Sequence, residues 1–202
     1  NNPTATLWDE GAVQRIIDAV GAQGGIVAVD EAYQPFASRT WLTRMQAEPA
    51  RNAHVLLMRT LSKFGLAGVR LGYMLGQPAL VAEIDKVRPP YNVSVLNCEA
   101  ALFALEHADV FAAQAAELRA QRTVLIEALR AMPGIEKVWD SEANMVLVRV
   151  ADAAKAYEGM KTRKVLIKNV STMHPLLHNC LRLTVGNAQD NATMLAALQA
   201  SL

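Results

Sequence analysis

The apolar positions fall into two rhythms. Residues 10–20 place Val13, Ile16, Ile17 and Val20 at helical spacing, and Gly21, Gly24 and Gly25 end the run. Ile26 to Val29 is a short unbroken apolar stretch, the pattern of a strand buried on both faces, and His54 to Met58 repeats it. Val69 to Leu75 is a third strand candidate, with Gly72 inside it and Gly76 and Pro78 closing it. A helix between such strands predicts right-handed crossovers and a mostly parallel sheet.

The pattern changes at Val87-Arg88-Pro89-Pro90-Tyr91, where a double proline forbids a continuous helix. A hinge or domain boundary is expected near residues 88–93. Helical spacing resumes over Leu96 to Glu106 and again over Asp109 to Met132, where Phe111, Ala115, Leu118, Leu125 and Leu129 share a face. Pro133-Gly134 ends that stretch. Beyond it the spacing predicts a strand over Met145–Val150, a helix over Ala151–Lys161, strands over Val165–Lys168 and Leu181–Val185, and a helix over Asp190–Leu202. This tail reads as a compact α+β domain. No repeat and no low-complexity tract interrupts the chain.

Composition narrows the classes. The 202 residues suffice for one large domain or two small ones, and an apolar fraction of 52% allows a substantial core. Twenty basic residues against 19 acidic ones leave a net charge of +1 with no basic block, so nucleic acid is not an expected partner. No apolar stretch approaches the roughly 20 residues of a membrane span. Asn1-Asn2-Pro3-Thr4 lacks the basic start and apolar core of a signal peptide. Two cysteines, Cys98 and Cys180, do not make a disulfide framework, and a reducing cytoplasm is the expected setting. The chain opens without methionine on a turn-like sequence, which is read as a fragment or a processed form.

The candidate chemistry gathers where two of the predicted strands end. Ligands of open α/β sheets collect at the carboxyl edges of strands. Asp30 and Tyr33 follow one strand; Thr60, Ser62 and Lys63 follow another. A lysine condenses with an aldehyde only as the neutral amine, so a reactive lysine needs desolvation or a nearby cation. Arg70 is placed to supply that cation, or to neutralise a phosphate together with the hydroxyls of Thr60 and Ser62. Gly65 and Gly68 permit close approach of backbone to a ligand. Asp30 is equally suited to face a pyridinium nitrogen or to cap the turn that follows it. Tyr33 is either a donor to a ring phenolate or an ordinary half-buried tyrosine. Arg182 is a charge inside an apolar strand. It awaits a bound anion or a structural salt bridge, or it occupies a water-facing edge position, and Lys168 poses the same question. His174, His178 and Cys180 form H-x-x-x-H-x-C in a loop, and no other residues complete a metal site there.

With these residues in order, the chain resembles the fold-type I pyridoxal-phosphate (PLP) aminotransferases and, among them, the histidinol-phosphate branch. Five segments carry the likeness: Asn1-Asn2-Pro3-Thr4, Val29-Asp30-Glu31-Ala32-Tyr33, Arg59 to Tyr73, Arg88-Pro89-Pro90-Tyr91-Asn92-Val93, and Leu181-Arg182-Leu183-Thr184-Val185-Gly186. The resemblance implies an α/β fold, with part of a PLP-binding large domain over residues 1–90 and an interdomain helix and small α+β domain over residues 91–202. It implies that Lys63 is the Schiff-base lysine and that Asp30 pairs with the pyridine nitrogen. Tyr33 and Asn2 would contact the ring phenolate oxygen. Thr60, Ser62 and Arg70 would hold the phosphate, and Arg182, with Lys168 beside it, would bind the substrate's anionic group. No metal is implied.

The implied reaction is transamination between histidinol phosphate, or its keto form imidazole acetol phosphate, and glutamate or 2-oxoglutarate. The enzyme would be a cytoplasmic homodimer handling a small-molecule amino donor and a keto acid. Another aminotransferase of this fold, a phospho-amino-acid decarboxylase, or an inactive fragment are the alternatives. Three departures stand out. The family's N-P-T-G reads Asn2-Pro3-Thr4-Ala5; the spacing from Lys63 to Arg70 is seven, where some relatives have eight; and Lys168 stands where many relatives have arginine. Set against the family, the chain is read as lacking its N-terminal portion.

Overall fold

A computed structural model describes residues 1–202. The chain forms two compact units, residues 8–113 and residues 1–7 with 114–202. The expected hinge at residues 88–93 lies inside the first of these, in the loop that follows its third helix.

In the unit of residues 8–113, α1 (Glu10–Gly21) starts where the Asp9 carboxylate accepts from the Ala12 amide. Next come β1 (Val27–Asp30), a 3-10 turn at Gln34–Phe36, α2 (Leu42–Ala47) and β2 (Val55–Thr60). β1 and β2 pair in parallel, with Val27 beside Val55 and Asp30 beside Met58. β3 (Gly72–Leu75) joins the other side of β2 antiparallel. The connection over residues 61–71 holds only a tight turn and a 3-10 turn, with no crossover helix to carry a parallel return. α3 (Pro78–Asp85) begins with its proline in the first turn, where a missing amide proton costs nothing. α4 (Val95–Glu106) is capped by Ser94.

The three-stranded sheet has unlike faces. Ile17, Trp41, Val55 and Leu57 are buried on one, with Val13, Val27, Val29, Leu42, Met45 and Leu75 packed around them. Side chains alternate along a strand, so Ala28, Asp30, Met58, Thr60 and Met74 belong to the opposite face; Asp30 and Met58 there are exposed. α1 is fastened to the connector before β2. Arg51 grips Asp18 through two hydrogen bonds of 2.9 and 2.6 Å, and the His54 Nε2 lies 2.9 Å from the Ile17 carbonyl. The Arg51 guanidinium, with help from Gln14, holds the Asp18 carboxyl below the usual aspartate range.

The other unit is an antiparallel sheet with helices on one face. α5 (Ala108–Ala131), whose residues from Gln114 on belong to this unit, leads to β4 (Ile135–Val138), β5 (Met145–Val150), α6 (Ala153–Thr162), β6 (Lys168–Asn169), β7 (Cys180–Thr184) and α7 (Ala188–Gln199). The strand order is β4-β5-β7-β6. Leu125, Leu129, Val146, Val148, Met160, Leu181, Leu183 and Leu198 fill the layer between sheet and helices. Leu147, Val170, Leu177 and Cys180 form a smaller cluster on the other face, against Trp139. Residues 1–7 belong to this unit: the Ala5 carbonyl accepts from the Glu142 amide at 2.8 Å.

Candidate active site

The parallel register of β1 and β2 brings their carboxyl ends to one edge of the sheet. The pairing extends one residue further, because the Glu31 amide donates to the Met58 carbonyl at 2.9 Å. Asp30 therefore leaves β1 beside the point where Thr60 leaves β2. The Asp30 Oδ1 accepts from the Ala32 amide at 2.8 Å, so the capping turn forms. Its Oδ2 lies outside that bond on an exposed residue, and one carboxylate therefore serves the turn while still presenting an oxygen to solvent.

The segment after β2 is a closed loop. The Leu61 amide donates to the Leu71 carbonyl, the amides of Phe64 and Leu66 donate to the Leu61 carbonyl, and Leu61 itself is buried. Within the loop, the Thr60 hydroxyl donates to the Leu71 carbonyl at 3.3 Å and accepts from the Ser62 amide at 3.1 Å. Arg70 donates to the Ser62 hydroxyl and to the Ala67 carbonyl, both at 3.4 Å. These long bonds leave an exposed guanidinium beside two hydroxyl-bearing residues. Arg70 holds φ +53° in the left-handed region, a conformation that costs a non-glycine residue about 1 kcal/mol or more. Of the two loop glycines expected to admit a ligand, Gly68 has open space where a Cβ would stand. Gly65 has a different reason. Its φ is +131°, and a Cβ there would meet the Phe111 ring at 2.6 Å. Phe111 in turn stacks on Phe64 with ring centroids 4.8 Å apart.

Lys63 follows Ser62, and its Nζ lies 5.2 Å from the centre of the Tyr33 ring. The lysine nitrogen thus rests against the face of the aromatic that follows β1. Lys63, Tyr33, Asp30, Thr60, Ser62 and Arg70 all belong to the two loops at this one edge.

Asn2, Lys168 and Arg182 lie in the other unit. The Arg182 Nη1 donates to the Asn2 Oδ1 at 2.7 Å. Arg182 is on β7, an inner strand rather than an edge, and its neighbours in register are Leu147 on one side and Lys168 on the other. Two cations directly opposite one another repel. They gain if an anion sits between them. Ala5, where the family's glycine is replaced, is buried and holds φ +56°, so the turn keeps the left-handed geometry without the residue best suited to it.

One group of residues at the sheet edge escaped the sequence reading. The Glu31 Oε2 accepts from Arg59 Nε at 3.2 Å, from Arg59 Nη2 at 3.0 Å and from the Thr40 hydroxyl at 2.8 Å. The Glu31 Oε1 accepts from the Trp41 amide. Arg59 Nη2 also donates to the Thr40 oxygen at 2.7 Å. The Glu31 and Arg59 side chains are only 11% and 14% exposed. The available signal was a charge beside each strand end, Glu31 after Asp30 and Arg59 before Thr60.

A profile of the family described as aminotransferase class I and II matches residues 1–200. The chain belongs to this aminotransferase family. A protein named histidinol-phosphate aminotransferase in Paracidovorax citrulli is 85% identical over all 202 residues, which are 55% of its own length. The chain thus spans about half the length of the curated relatives it matches. Among solved structures, the histidinol-phosphate aminotransferase from Clostridium acetobutylicum superposes with a TM-score of 0.85 at 21% identity, covering 98% of this chain and 60% of that one. The L-threonine-O-3-phosphate decarboxylase from Porphyromonas gingivalis gives 0.81 at 21% identity, covering 98% and 61%. At such identities these structures establish the aminotransferase fold alone. They do so for aminotransferase and decarboxylase about equally.

Proposed function

We propose that this chain provides the lysine-bearing part of a pyridoxal-phosphate-dependent histidinol-phosphate aminotransferase. The enzyme moves an amino group between histidinol phosphate, or its keto form imidazole acetol phosphate, and the glutamate/2-oxoglutarate pair in histidine biosynthesis. The observation that carries this reading is the meeting of Lys63 and Tyr33, 5.2 Å apart, with the Thr60-Ser62-Arg70 group at one sheet edge. The 85% identity to a protein named for this reaction supports the choice of substrate.

The donor set fits the cofactor. The Arg70 guanidinium and the hydroxyls of Thr60 and Ser62 suit a phosphate dianion. The exposed oxygen of Asp30 suits a protonated ring nitrogen, and the Tyr33 hydroxyl suits a ring phenolate. When bound, pyridoxal phosphate supplies the carbonyl that condenses with amines and a ring that withdraws electrons from the substrate carbon. As the neutral amine, Lys63 Nζ would take the proton from the carbon bearing the substrate nitrogen and deliver it to the carbon that was the cofactor's carbonyl. Asp30 would face the ring nitrogen and favour its protonated form. Arg70 and Ser62 would hold the phosphate and so orient the ring attached to it. In the other unit, Asn2 holds Arg182 beside Lys168, and the two cations would suit the substrate's anionic group.

The finer settings follow from the same reading. The enzyme works as a homodimer, which is supported by the apolar surface exposed over residues 91–105, where Tyr91, Leu96 and Phe103 are 98%, 81% and 64% accessible. It works in the cytoplasm, consistent with two free cysteines, one of them exposed. The test is a product assay with purified protein, PLP and 2-oxoglutarate. Glutamate formed from histidinol phosphate, with no carbon dioxide released from phosphothreonine, is the expected result. Carbon dioxide release without amino transfer overturns the assignment in favour of a decarboxylase.

A further inference from the structure

The half-buried Glu31–Arg59–Thr40 group sits where a positioning device for the two reactive loops would have to be. Glu31 is the residue after Asp30, and Arg59 is the residue before Thr60. Because side chains alternate along a strand, Glu31 and Arg59 point to the covered face of the sheet, while Asp30 and Thr60 point to the other. The ion pair therefore stands behind the site, separated from it by the backbone of both strands. It joins the strands at their last paired residues, where the loops carrying Tyr33 and Lys63 depart.

The geometry of the pair is that of a clamp. Arg59 reaches the Glu31 Oε2 through two nitrogens, at 3.2 and 3.0 Å. Thr40 closes the triangle by donating to the same oxygen at 2.8 Å and accepting from Arg59 at 2.7 Å. The Thr40 oxygen also accepts from the Leu42 amide at 3.1 Å, and the Trp41 amide donates to Glu31, so the clamp is anchored to the start of α2. Both Glu31 carboxylate oxygens are engaged, and their partners come from two chain segments, residues 40–41 and Arg59. At 11% and 14% exposure the pair is shielded from solvent, and its geometry resists slippage far more than a surface pair would.

We infer that Glu31, Arg59 and Thr40 are positioning residues: they set the separation of the Asp30–Tyr33 and Thr60–Lys63 loops and so the fit of the site to its cofactor. This rests on the proposed function for the identity of the cofactor, though not for the coupling of the loops. A hydrophobic pair of equal volume would serve stability as well or better. Fixed register between two loops is what the charged, forked arrangement adds.

Two variants probe the clamp at different severity. Arg59→Lys keeps the charge and removes the fork. Thr40→Val keeps the ion pair and removes the hydroxyl, with Thr40→Ser as the restoring control. Amide hydrogen exchange reads the loops without any cofactor. The expected result is faster exchange in residues 30–33 and 60–64 together, with residues 27–29 and 55–57 unchanged, in both Arg59→Lys and Thr40→Val but not in Thr40→Ser. The dissociation constant for PLP, followed by its absorbance, is expected to rise about tenfold in Thr40→Val, the value of one hydrogen bond to a charged group. It returns to within about twofold of the parent in Thr40→Ser, since the serine hydroxyl restores that bond. Exchange that quickens only in residues 40–47, or evenly through the unit, overturns the inference and leaves the group a structural ion pair. So does an unchanged PLP constant in Thr40→Val. If the parent protein takes up no PLP, the proposed function fails, and the exchange pattern still decides whether the loops are coupled.

Discussion

Gly65→Ala is the substitution that ties the shape of the lysine loop most closely to a number. Gly65 holds φ +131°, a region essentially closed to residues with a Cβ, and forcing alanine into it costs about 1–3 kcal/mol. The new methyl would also stand 2.6 and 2.8 Å from two carbons of the Phe111 ring. Carbon atoms rest about 3.5–4.0 Å apart, so the ring must retreat by roughly 1 Å. Phe111 is not free to do so without disturbing Phe64, on which it stacks at 4.8 Å and which adjoins Lys63. Overpacking of this kind costs a further 1–3 kcal/mol or so. The total is roughly 2–6 kcal/mol, and the two parts separate in a double-mutant cycle. In a Phe111→Ala background the ring contact is gone, and Gly65→Ala should cost only its backbone part of about 1–3 kcal/mol. The assay is urea unfolding followed through Trp41, which is buried in the core of the same unit at 6% exposure. Strict additivity of the two substitutions, or a Gly65→Ala protein as stable as the parent, would refute the argument that the Phe111 ring and the backbone together demand glycine.

Other perturbations test other contacts. Leu57→Ala empties a fully buried position between α1 and the sheet and should lower unfolding stability by about 2–5 kcal/mol, read in the same urea titration. Ala5→Gly should leave the thermal midpoint nearly unchanged, because relief of the left-handed strain, about 1 kcal/mol, offsets the lost burial of one methyl, about 0.8 kcal/mol. Ala5→Val, branched at the same φ, should instead destabilise by more than about 2 kcal/mol. The carboxyl of Asp18 is held below its ordinary range by the Arg51 hydrogen bonds, so its contribution is complete at neutral pH and is lost as acid titrates it in the folded state. The thermal midpoints of the parent and Asp18→Asn should therefore differ at pH 7 and converge as the pH falls below about 4. A gap that widens with acid would contradict the sign.

Much of the fold was legible because its signals are local. The helices expected over residues 10–20, 96–106 and 109–132 occur at Glu10–Gly21, Val95–Glu106 and Ala108–Ala131. The apolar runs at 26–29 and 54–58 are the strands Val27–Asp30 and Val55–Thr60. What stayed hidden depended on context. Pro78 is a closing signal for the strand before it and also opens α3, because proline suits the first turn of a helix as well as a strand's limit. The expected strand over 69–75 is shortened to Gly72–Leu75, since the left-handed backbone of Arg70 lets a 3-10 turn take residues 67–69. β4 at Ile135–Val138 alternates weakly and forms by pairing with β5, a partner the local sequence does not name. In the candidate site, the residue types and their order were visible. The choice between the two readings of Asp30 was not, and the structure shows that its capping bond uses one oxygen and leaves the other exposed. The clamp at Glu31 and Arg59 was invisible because it depends on the register of two strands whose ends lie 28 residues apart in sequence.

The central claim is that Lys63 is the residue that bonds covalently to pyridoxal phosphate at this edge of the sheet. Its most direct test is to incubate the purified protein with PLP, reduce with borohydride, digest, and locate the added mass by tandem spectrometry. The account predicts one phosphopyridoxyl group per chain, on the peptide containing Lys63, and none in Lys63→Ala. Labelling confined to other lysines, or equal labelling of Lys63→Ala, would contradict it.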